Sequence, residues 1–213
     1  MKNINQGEAE ILLNECPNSV DSACELADAE SQAWREKNSQ LILEEFLAKY
    51  SDELNDVEKA KVYTNLAFYY NDEGNIKEYE YLSAAVKLNS PYIETYRGLA
   101  LYHFTAYREK KSVEELKKSL RVFEKGRSIS DNYEMNFGYA VCLFELKEYE
   151  KAKTIFVQLL ENCPNRMRLL LCIAYCDVYL GNKIQSLDYL KKIKIGGDPC
   201  RADRCCTAGR IRW

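Results

Sequence analysis

Hydrophobic side chains in residues 133–164 recur at the spacing of two amphipathic helices. The i, i+3, i+4, i+7 pattern, which places side chains on one helix face, is met in the first half by Phe137, Ala140, Val141 and Phe144. The same pattern is met in the second half by Ala152, Ile155, Phe156 and Leu159. Polar residues Lys147 and Glu148 lie between the halves, so the pattern predicts a helix hairpin that ends at Pro164.

This hairpin pattern returns before and after residues 133–164, at intervals of about 34 residues. One copy, which begins near Tyr96, fits only if about seven residues, or two helical turns, are inserted, and this insertion keeps the apolar stripe in phase. A small residue recurs at one position of the first helix in each copy: Ala67, Ala100, Ala140 and Ala174. Small side chains let paired helices approach closely, so we expect these alanines at helix crossings.

The recurring residues resemble the tetratricopeptide repeat (TPR), a helix–turn–helix unit. The copy at 133–164 carries the resemblance through Tyr139, Ala140, Leu143, Ala152, Phe156 and Pro164. The resemblance implies an all-α fold, a right-handed superhelical solenoid of antiparallel helix hairpins, with about four divergent repeats over residues 57–195. Tyr79 and Asp177 depart from the pattern, because they stand where relatives carry Ala and an aromatic residue.

The predicted layout has three parts. Residues 1–20 form an N-terminal arm, residues 21–195 the solenoid and residues 196–213 a flexible tail rich in Cys and Arg, either native or foreign to the protein. The solenoid is expected to contain a leading helix pair or cap and four repeats, with the boundaries 21–56, 57–91, 92–132, 133–165 and 166–195. We expect Asp21 to cap the first helix, and Leu187, Tyr189 or Leu190 to be exposed at an uncapped end.

Charge is distributed unevenly along the chain. Residues 1–60 contain 5 Lys/Arg and 14 Asp/Glu, a net charge of −9, which leaves +6 on the rest because the whole chain carries −3. An acidic surface repels phosphate groups and argues against nucleic-acid binding there. The sequence contains no 18-residue apolar segment and no signal peptide, so we expect a cytoplasmic protein without membrane insertion.

The residues that could carry catalysis or bind metal are few. His103 is the single histidine and lies in an apolar helical pattern, which favours a packed, hydrogen-bonded side chain over a catalytic one. Cys172 and Cys176 are four residues apart, but the chain has no C-x-x-C motif. We therefore predict no catalytic residue, metal site or cofactor.

Binding is the remaining function, and the resemblance implies where it occurs. In TPR proteins the first helices of the repeats line a concave groove that holds a peptide. The residues at the matching positions are Phe68, Arg97, Leu101, Phe104, Phe137, Val141, Phe144, Arg168, Leu171, Tyr175 and Tyr179. The Lys/Asn set with which some relatives clamp a chaperone carboxylate is missing, since Thr64 and Phe68 stand at its first two positions.

These residues predict an aromatic groove for a peptide or an amphipathic helix of a protein partner. The protein would act as a non-catalytic adaptor, scaffold or chaperone-like module, and its uncapped end could pair two copies as a homodimer. Two alternatives stay open. The groove rings could pack only against neighbouring helices or the arm, and the chain could be a regulatory subunit whose Cys-rich tail binds metal or is redox-active.

Overall fold

The computed structural model describes residues 6–71, 75–164 and 166–195, and these ranges contain no strand. The helices within them are α1 (Gln6–Glu15), α2 (Val20–Gln32), α3 (Glu36–Tyr50), α4 (Asp56–Tyr69), α5 (Ile76–Lys87), α6 (Ile93–Lys110), α7 (Val113–Ile129), α8 (Tyr133–Glu145), α9 (Tyr149–Asn162), α10 (Met167–Tyr179) and α11 (Lys183–Ile195). The chain divides after Ile129 into two compact units. We call them unit 1 and unit 2.

Unit 1 is a series of helices in which each packs on the next, from α1 to α7, and α4 also contacts α2 and α6. Its first core lies among α2, α3 and α4 and contains Val20, Ala23, Cys24, Ala27, Leu43, Phe46, Leu54, Val62, Leu66 and Tyr69. Leu13 of α1 packs against this core. Residues 6–15, part of the segment predicted as an arm, are therefore a helix held by the body of unit 1.

Polar side chains set where the helices of unit 1 begin. Asn55 caps α4 through a reciprocal pair of hydrogen bonds: its Oδ1 accepts from the Glu58 amide at 3.0 Å, and its own amide donates to Glu58 at 2.9 Å. The prediction for α2 was wrong by two residues. Ser19 is its cap and accepts from the Ser22 amide, whereas Asp21 lies inside the first turn.

The hairpin formed by α6 and α7 is the long one predicted from the inserted residues. These helices have 18 and 17 residues, against 12 for α5 and 14 for α4. The turn between them places Lys111 in the left-handed region, with φ 53°, and Ser112 accepts from the Glu115 amide at 3.5 Å. Ser119 donates to the Ala100 carbonyl at 2.8 Å, so α6 and α7 lie close together at the level of Ala100.

Unit 2 contains α8 to α11, and α9 packs against both α8 and α10. Its buried side chains include Met135, Phe137, Leu143, Phe156, Leu159, Leu169, Leu170 and Ile173. The break predicted at Lys147 and Glu148 is a turn in which Lys147 has φ 67°. The turn between α10 and α11 uses Gly181 at φ 82°, a conformation that glycine adopts without steric cost.

The small residues that recur in the sequence lie where the pattern predicted. The exposed fractions of Ala67, Ala100, Ala140 and Ala174 are 2%, 0%, 0% and 3%. A larger side chain at any of them would have to displace a packed helix. None of the described helices is both long enough and apolar enough to cross a membrane.

Candidate functional site

The predicted groove residues lie on α4, α6, α8 and α10, the first helix of each predicted repeat. These helices belong to different units, so the two sets are described separately. Unit 2 holds the larger set, which consists of Phe137, Val141 and Phe144 on α8 and Arg168, Leu171, Tyr175 and Tyr179 on α10. We call this set the α8–α10 face.

The two helices of the α8–α10 face touch each other through these side chains. The guanidinium of Arg168 lies 4.7 Å from the centre of the Phe137 ring, and the rings of Phe144 and Tyr179 meet edge to face at 5.5 Å. Tyr149, at the start of α9, stacks on Tyr179 at 4.7 Å with the ring planes 9° apart. The structure therefore brings together residues that are thirty or more positions apart in the sequence.

Solvent reaches much of this face. Tyr175 is 57% exposed, Tyr179 is 59% exposed, and Val178 between them is 52% exposed. Val141 and Leu171 are half-buried, whereas Phe137 is buried and packs on Phe156 at 5.6 Å. The surface that a partner could touch is thus centred on α10, and Phe137 supports it from below.

One end of the α8–α10 face carries two arginines, and the other carries a group of aromatic rings. At the N-terminal end of α10, Arg166 lies 3.9 Å from the centre of the Tyr133 ring, beside Arg168. At the C-terminal end, Phe144, Tyr149 and Tyr179 form the ring cluster. Arg168 and Tyr179 are eleven positions apart, which corresponds to about 16 Å along a helix.

Burial determines the ionisation of several groups around this face. Desolvation raises the pKa of the Tyr133 hydroxyl, and the hydrogen bond from Arg166 offsets part of that effect. Burial also raises the pKa of Cys172 to about 11 and that of Cys176 to about 12. Both thiols are therefore neutral at physiological pH, as expected for cysteines that act as small apolar side chains.

A buried ion pair holds α10 against α9. Lys153 Nζ on α9 lies 2.5 Å from Asp177 Oδ1 on α10, and the Asp177 side chain has no exposed surface. Asn182 donates from its backbone amide to the Asp177 carbonyl at 2.8 Å and from its side chain to Oδ1 at 3.3 Å. These contacts fix the C-terminal end of α10, where Tyr179 is exposed.

The predicted residues in unit 1 form a different surface. Phe68 on α4 is 66% exposed, Arg97 and Leu101 on α6 are half-buried, and Phe104 is buried with 6% exposed. Beside these residues the Thr64 hydroxyl reaches the buried Thr95 of α6, and the two hydroxyl oxygens are 2.7 Å apart. Unit 1 thus exposes one of its predicted aromatic residues, and Phe104 contributes to the core.

His103 is a packed side chain, as its position in the sequence indicated. It is 7% exposed, and its Nδ1 lies 2.7 Å from Glu115 Oε2. It also borders an open cleft of about 530 Å³ beside α5, which is lined by Tyr79, Glu80, Ser83, Val86, Lys87, Leu99 and His103. No cluster of three or more metal-ligating side chains occurs in the described residues, and Cys200, Cys205 and Cys206 of the predicted tail lie outside them.

Sequence reasoning missed three residues of the site: Tyr133, Tyr149 and Arg166. Tyr149 belongs to a second helix, which the family resemblance does not assign to the groove. Tyr133 and Arg166 stand at or just before the first residue of a helix. For Tyr133 and Tyr149, an aromatic residue directly after a predicted turn was the available signal; Arg166 had none.

Solved structures with the same arrangement of helices include YrrB, described as a TPR protein with an unusual peptide-binding site. Its TM-score is 0.72 at 14% sequence identity, over 91% of this chain and 94% of that chain. One structure of MamA gives a TM-score of 0.68 at 13% identity, over 91% of this chain and 98% of that chain. Another gives a TM-score of 0.67 at 16% identity, over 80% of this chain and 94% of that chain. No protein-family model matches the sequence, and no curated protein does so. The chain therefore has the fold of TPR proteins, which confirms the predicted all-α, TPR-like solenoid class.

Proposed function

We propose that this protein is a non-catalytic interaction module, and that the α8–α10 face binds a short segment of a partner protein. The observation that carries the proposal is the pair of exposed tyrosines, Tyr175 and Tyr179, on a helix that is anchored from behind by a buried ion pair. Tyrosine contributes a large contact area at little cost in conformational entropy, and such residues often dominate binding energy.

The chemistry of the face indicates what the partner segment contains. The ring cluster around Tyr179 suits an aromatic or aliphatic anchor, and the guanidinium groups of Arg166 and Arg168 suit an acidic side chain. The two ends are about 16 Å apart, a distance that an extended chain spans in about five residues. We therefore expect a segment with an acidic residue about five positions from an apolar anchor.

The YrrB structure supports a peptide as the ligand only by similarity of fold, since its description names a peptide-binding site. The chain itself argues against a carboxylate clamp like that of some chaperone-binding relatives. Phe68 is exposed where such a clamp needs Asn, and Thr64 is engaged with Thr95. An internal segment of a partner is thus a better match than a free C-terminus.

The experiment is an array of synthetic peptides in which an acidic residue and a Phe are separated by about two to eight positions. Binding of the full chain to the array is measured first. The affinities of the peptides that bind are then measured by fluorescence anisotropy with labelled peptides. We expect a maximum near a separation of five, and a weakening of about tenfold or more for Tyr175→Ala. Arg168→Ala should lower the affinity for peptides that contain an acidic residue and leave the affinity for peptides without one unchanged.

Trp34→Ala is the matched control, because Trp34 is an aromatic residue of unit 1 that is 83% exposed and lies outside the proposed site. It should bind peptides as the unmodified chain does. The proposal is overturned if Tyr175→Ala binds every peptide with unchanged affinity, or if the array shows no preference for the acidic and aromatic pair. Circular dichroism establishes that each variant keeps its helices.

A further inference from the structure

Helix α11 presents an apolar and basic face to solvent. Ile184 is 79% exposed, Leu187 is 56% exposed, and Leu190 is 38% exposed. These residues follow each other at intervals of three positions, which keeps them on one side of the helix. Lys183 and Lys191 are exposed at the two ends of this row. Asp188, which is also exposed, pairs with Lys191 at 3.3 Å. The helix contains four Lys against this one Asp, so its net charge is positive.

Helix α1 presents an apolar and acidic face. Ile11 is 58% exposed and Leu12 is 37% exposed, while Ala9 is buried against the body of unit 1. Glu8 and Glu15 are exposed and complete an i, i+3, i+4, i+7 row with the two apolar residues. The helix contains three Glu and no basic residue, so this face is anionic.

The two faces are complementary in length, charge and apolar content. Glu8 and Glu15 are separated by about 10 Å along α1, and Lys183 and Lys191 by about 12 Å along α11. On each helix, the two charged residues flank the exposed apolar residues. We infer that copies of this protein associate head to tail, with the α1 face of one copy packed on the α11 face of the next. This inference is independent of the peptide site.

Charge favours the contact between α1 and α11 over two other contacts of α11, one with the α11 of a second copy and one with segment 196–213. A symmetric homodimer through α11, the mode expected from the sequence, would bring two cationic faces together, and like charges at close range oppose association. The segment 196–213 contains four Arg and two Asp, so its net charge has the same sign as that of α11. The acidic helix of a second copy has the opposite sign and also supplies apolar side chains.

A head-to-tail contact leaves one free face at each end of a growing assembly. Such a heterologous interface forms open chains unless its rotation closes a ring. The contact joins one helix to one helix and is small, so it is weak and sensitive to salt. The expected behaviour is a distribution of oligomers that grows with protein concentration.

The test is sedimentation velocity of the full chain over a range of concentrations, in about 0.05 M and about 0.5 M salt. We expect the average mass to rise with concentration at low salt and to return towards that of the monomer at high salt. The variant Glu8→Lys with Glu15→Lys has two cationic faces, and the variant Lys183→Glu with Lys191→Glu has two anionic faces. Each should sediment as a monomer alone, and a mixture of the two should associate.

Glu124→Lys with Glu161→Lys is the control, because it changes the net charge as the α1 variant does at exposed positions of α7 and α9. It should associate like the unmodified chain. Tyr175→Ala should also associate normally, which separates this interface from the peptide site. The inference is overturned if the unmodified chain is monomeric at all concentrations, or if mixing the two charge-reversed variants produces no association.

Discussion

The ammonium group of Lys153 on α9 lies 2.5 Å from Oδ1 of Asp177 on α10, and the Asp177 side chain is completely buried. Asp177 is one of the positions where the sequence departs from the TPR pattern, since an aromatic residue is expected there. At this position the structure has a buried carboxylate that is paired with Lys153 and accepts a hydrogen bond from Asn182. Oδ2 of Asp177 has no hydrogen-bond partner among the described residues.

The first prediction concerns this ion pair. Lys153→Met removes the positive charge and leaves the fully buried Asp177 carboxylate without its counter-ion, so we expect the free energy of unfolding to fall by about 3 to 5 kcal/mol. Asp177→Leu combined with Lys153→Met should recover most of that loss, because the buried charge is then absent. Urea unfolding of the two single variants and the double variant measures the coupling. Additive effects would contradict the prediction.

The second prediction concerns the helix crossing at Ala140. Ala140→Leu inserts a larger side chain into a fully buried position, and we expect a loss of about 1 to 3 kcal/mol in the free energy of unfolding. Ala48→Leu is the matched control, since Ala48 is exposed on α3. Thermal and urea unfolding compare the two. Equal stability of both variants would show that the crossing has room for the larger side chain.

The third prediction concerns the dependence of stability on pH. Hydrogen bonds from the Arg35 guanidinium lower the pKa of Glu30 from 4.5 to about 2, and Asn38 donates a further bond at 2.7 Å. Since the folded-state pKa is depressed, the contribution of Glu30 to stability is complete above pH 4.5 and is lost as the pH falls towards 2.

Glu30→Gln should therefore be less stable than the unmodified chain at neutral pH, and the difference should shrink between about pH 4.5 and pH 2. Urea midpoints measured across this range provide the comparison. Glu45→Gln, at an exposed position of α3, controls for the loss of a charge. A difference that stays constant down to pH 2 would mean that Glu30 is not held by Arg35 in solution.

The fourth prediction concerns thiol reactivity. Cys16 is exposed, whereas burial raises the pKa of Cys24 and of Cys176 to about 12. Because the thiolate is the reactive form, Cys16 should be alkylated at pH 8 before Cys24 and Cys176, which should react only after unfolding by denaturant. Mass spectrometry of peptides from labelled protein gives the order. Rapid labelling of Cys24 in the folded protein would contradict its buried position.

Hydrophobic spacing was enough to predict much of the fold. The alanine row, the break at Lys147 and the lengthened α6–α7 hairpin follow from local periodicity, because a repeat buries its apolar face against near neighbours in the sequence. The start of α2 was misplaced by two residues, because both Ser19 and Asp21 are acceptable caps and packing decides between them. Residues 6–15 were predicted only as part of an N-terminal arm, since few apolar residues mark α1.

The residues of the predicted groove differ in how far packing leaves them exposed. The resemblance placed Tyr175, Tyr179 and Phe104 in one groove, yet the two tyrosines are exposed and Phe104 is buried. Position within a repeat gives the direction of a side chain from its helix, but the neighbouring helix decides how much of it solvent can reach. The stacking of Tyr149 on Tyr179 joins two predicted repeats and has no signature within either one.

The sequence by itself determined the helices from α2 onwards in outline, their hairpin pairing and the uneven distribution of charge along the chain, because these depend on local spacing and composition. Only the tertiary structure decided which aromatic residues reach solvent, that Asp177 is paired with Lys153, and that Ile11 and Leu12 of α1 are exposed. The physical reason is that burial and ion pairing depend on distances between segments that are far apart in the chain, and a single sequence does not contain those distances.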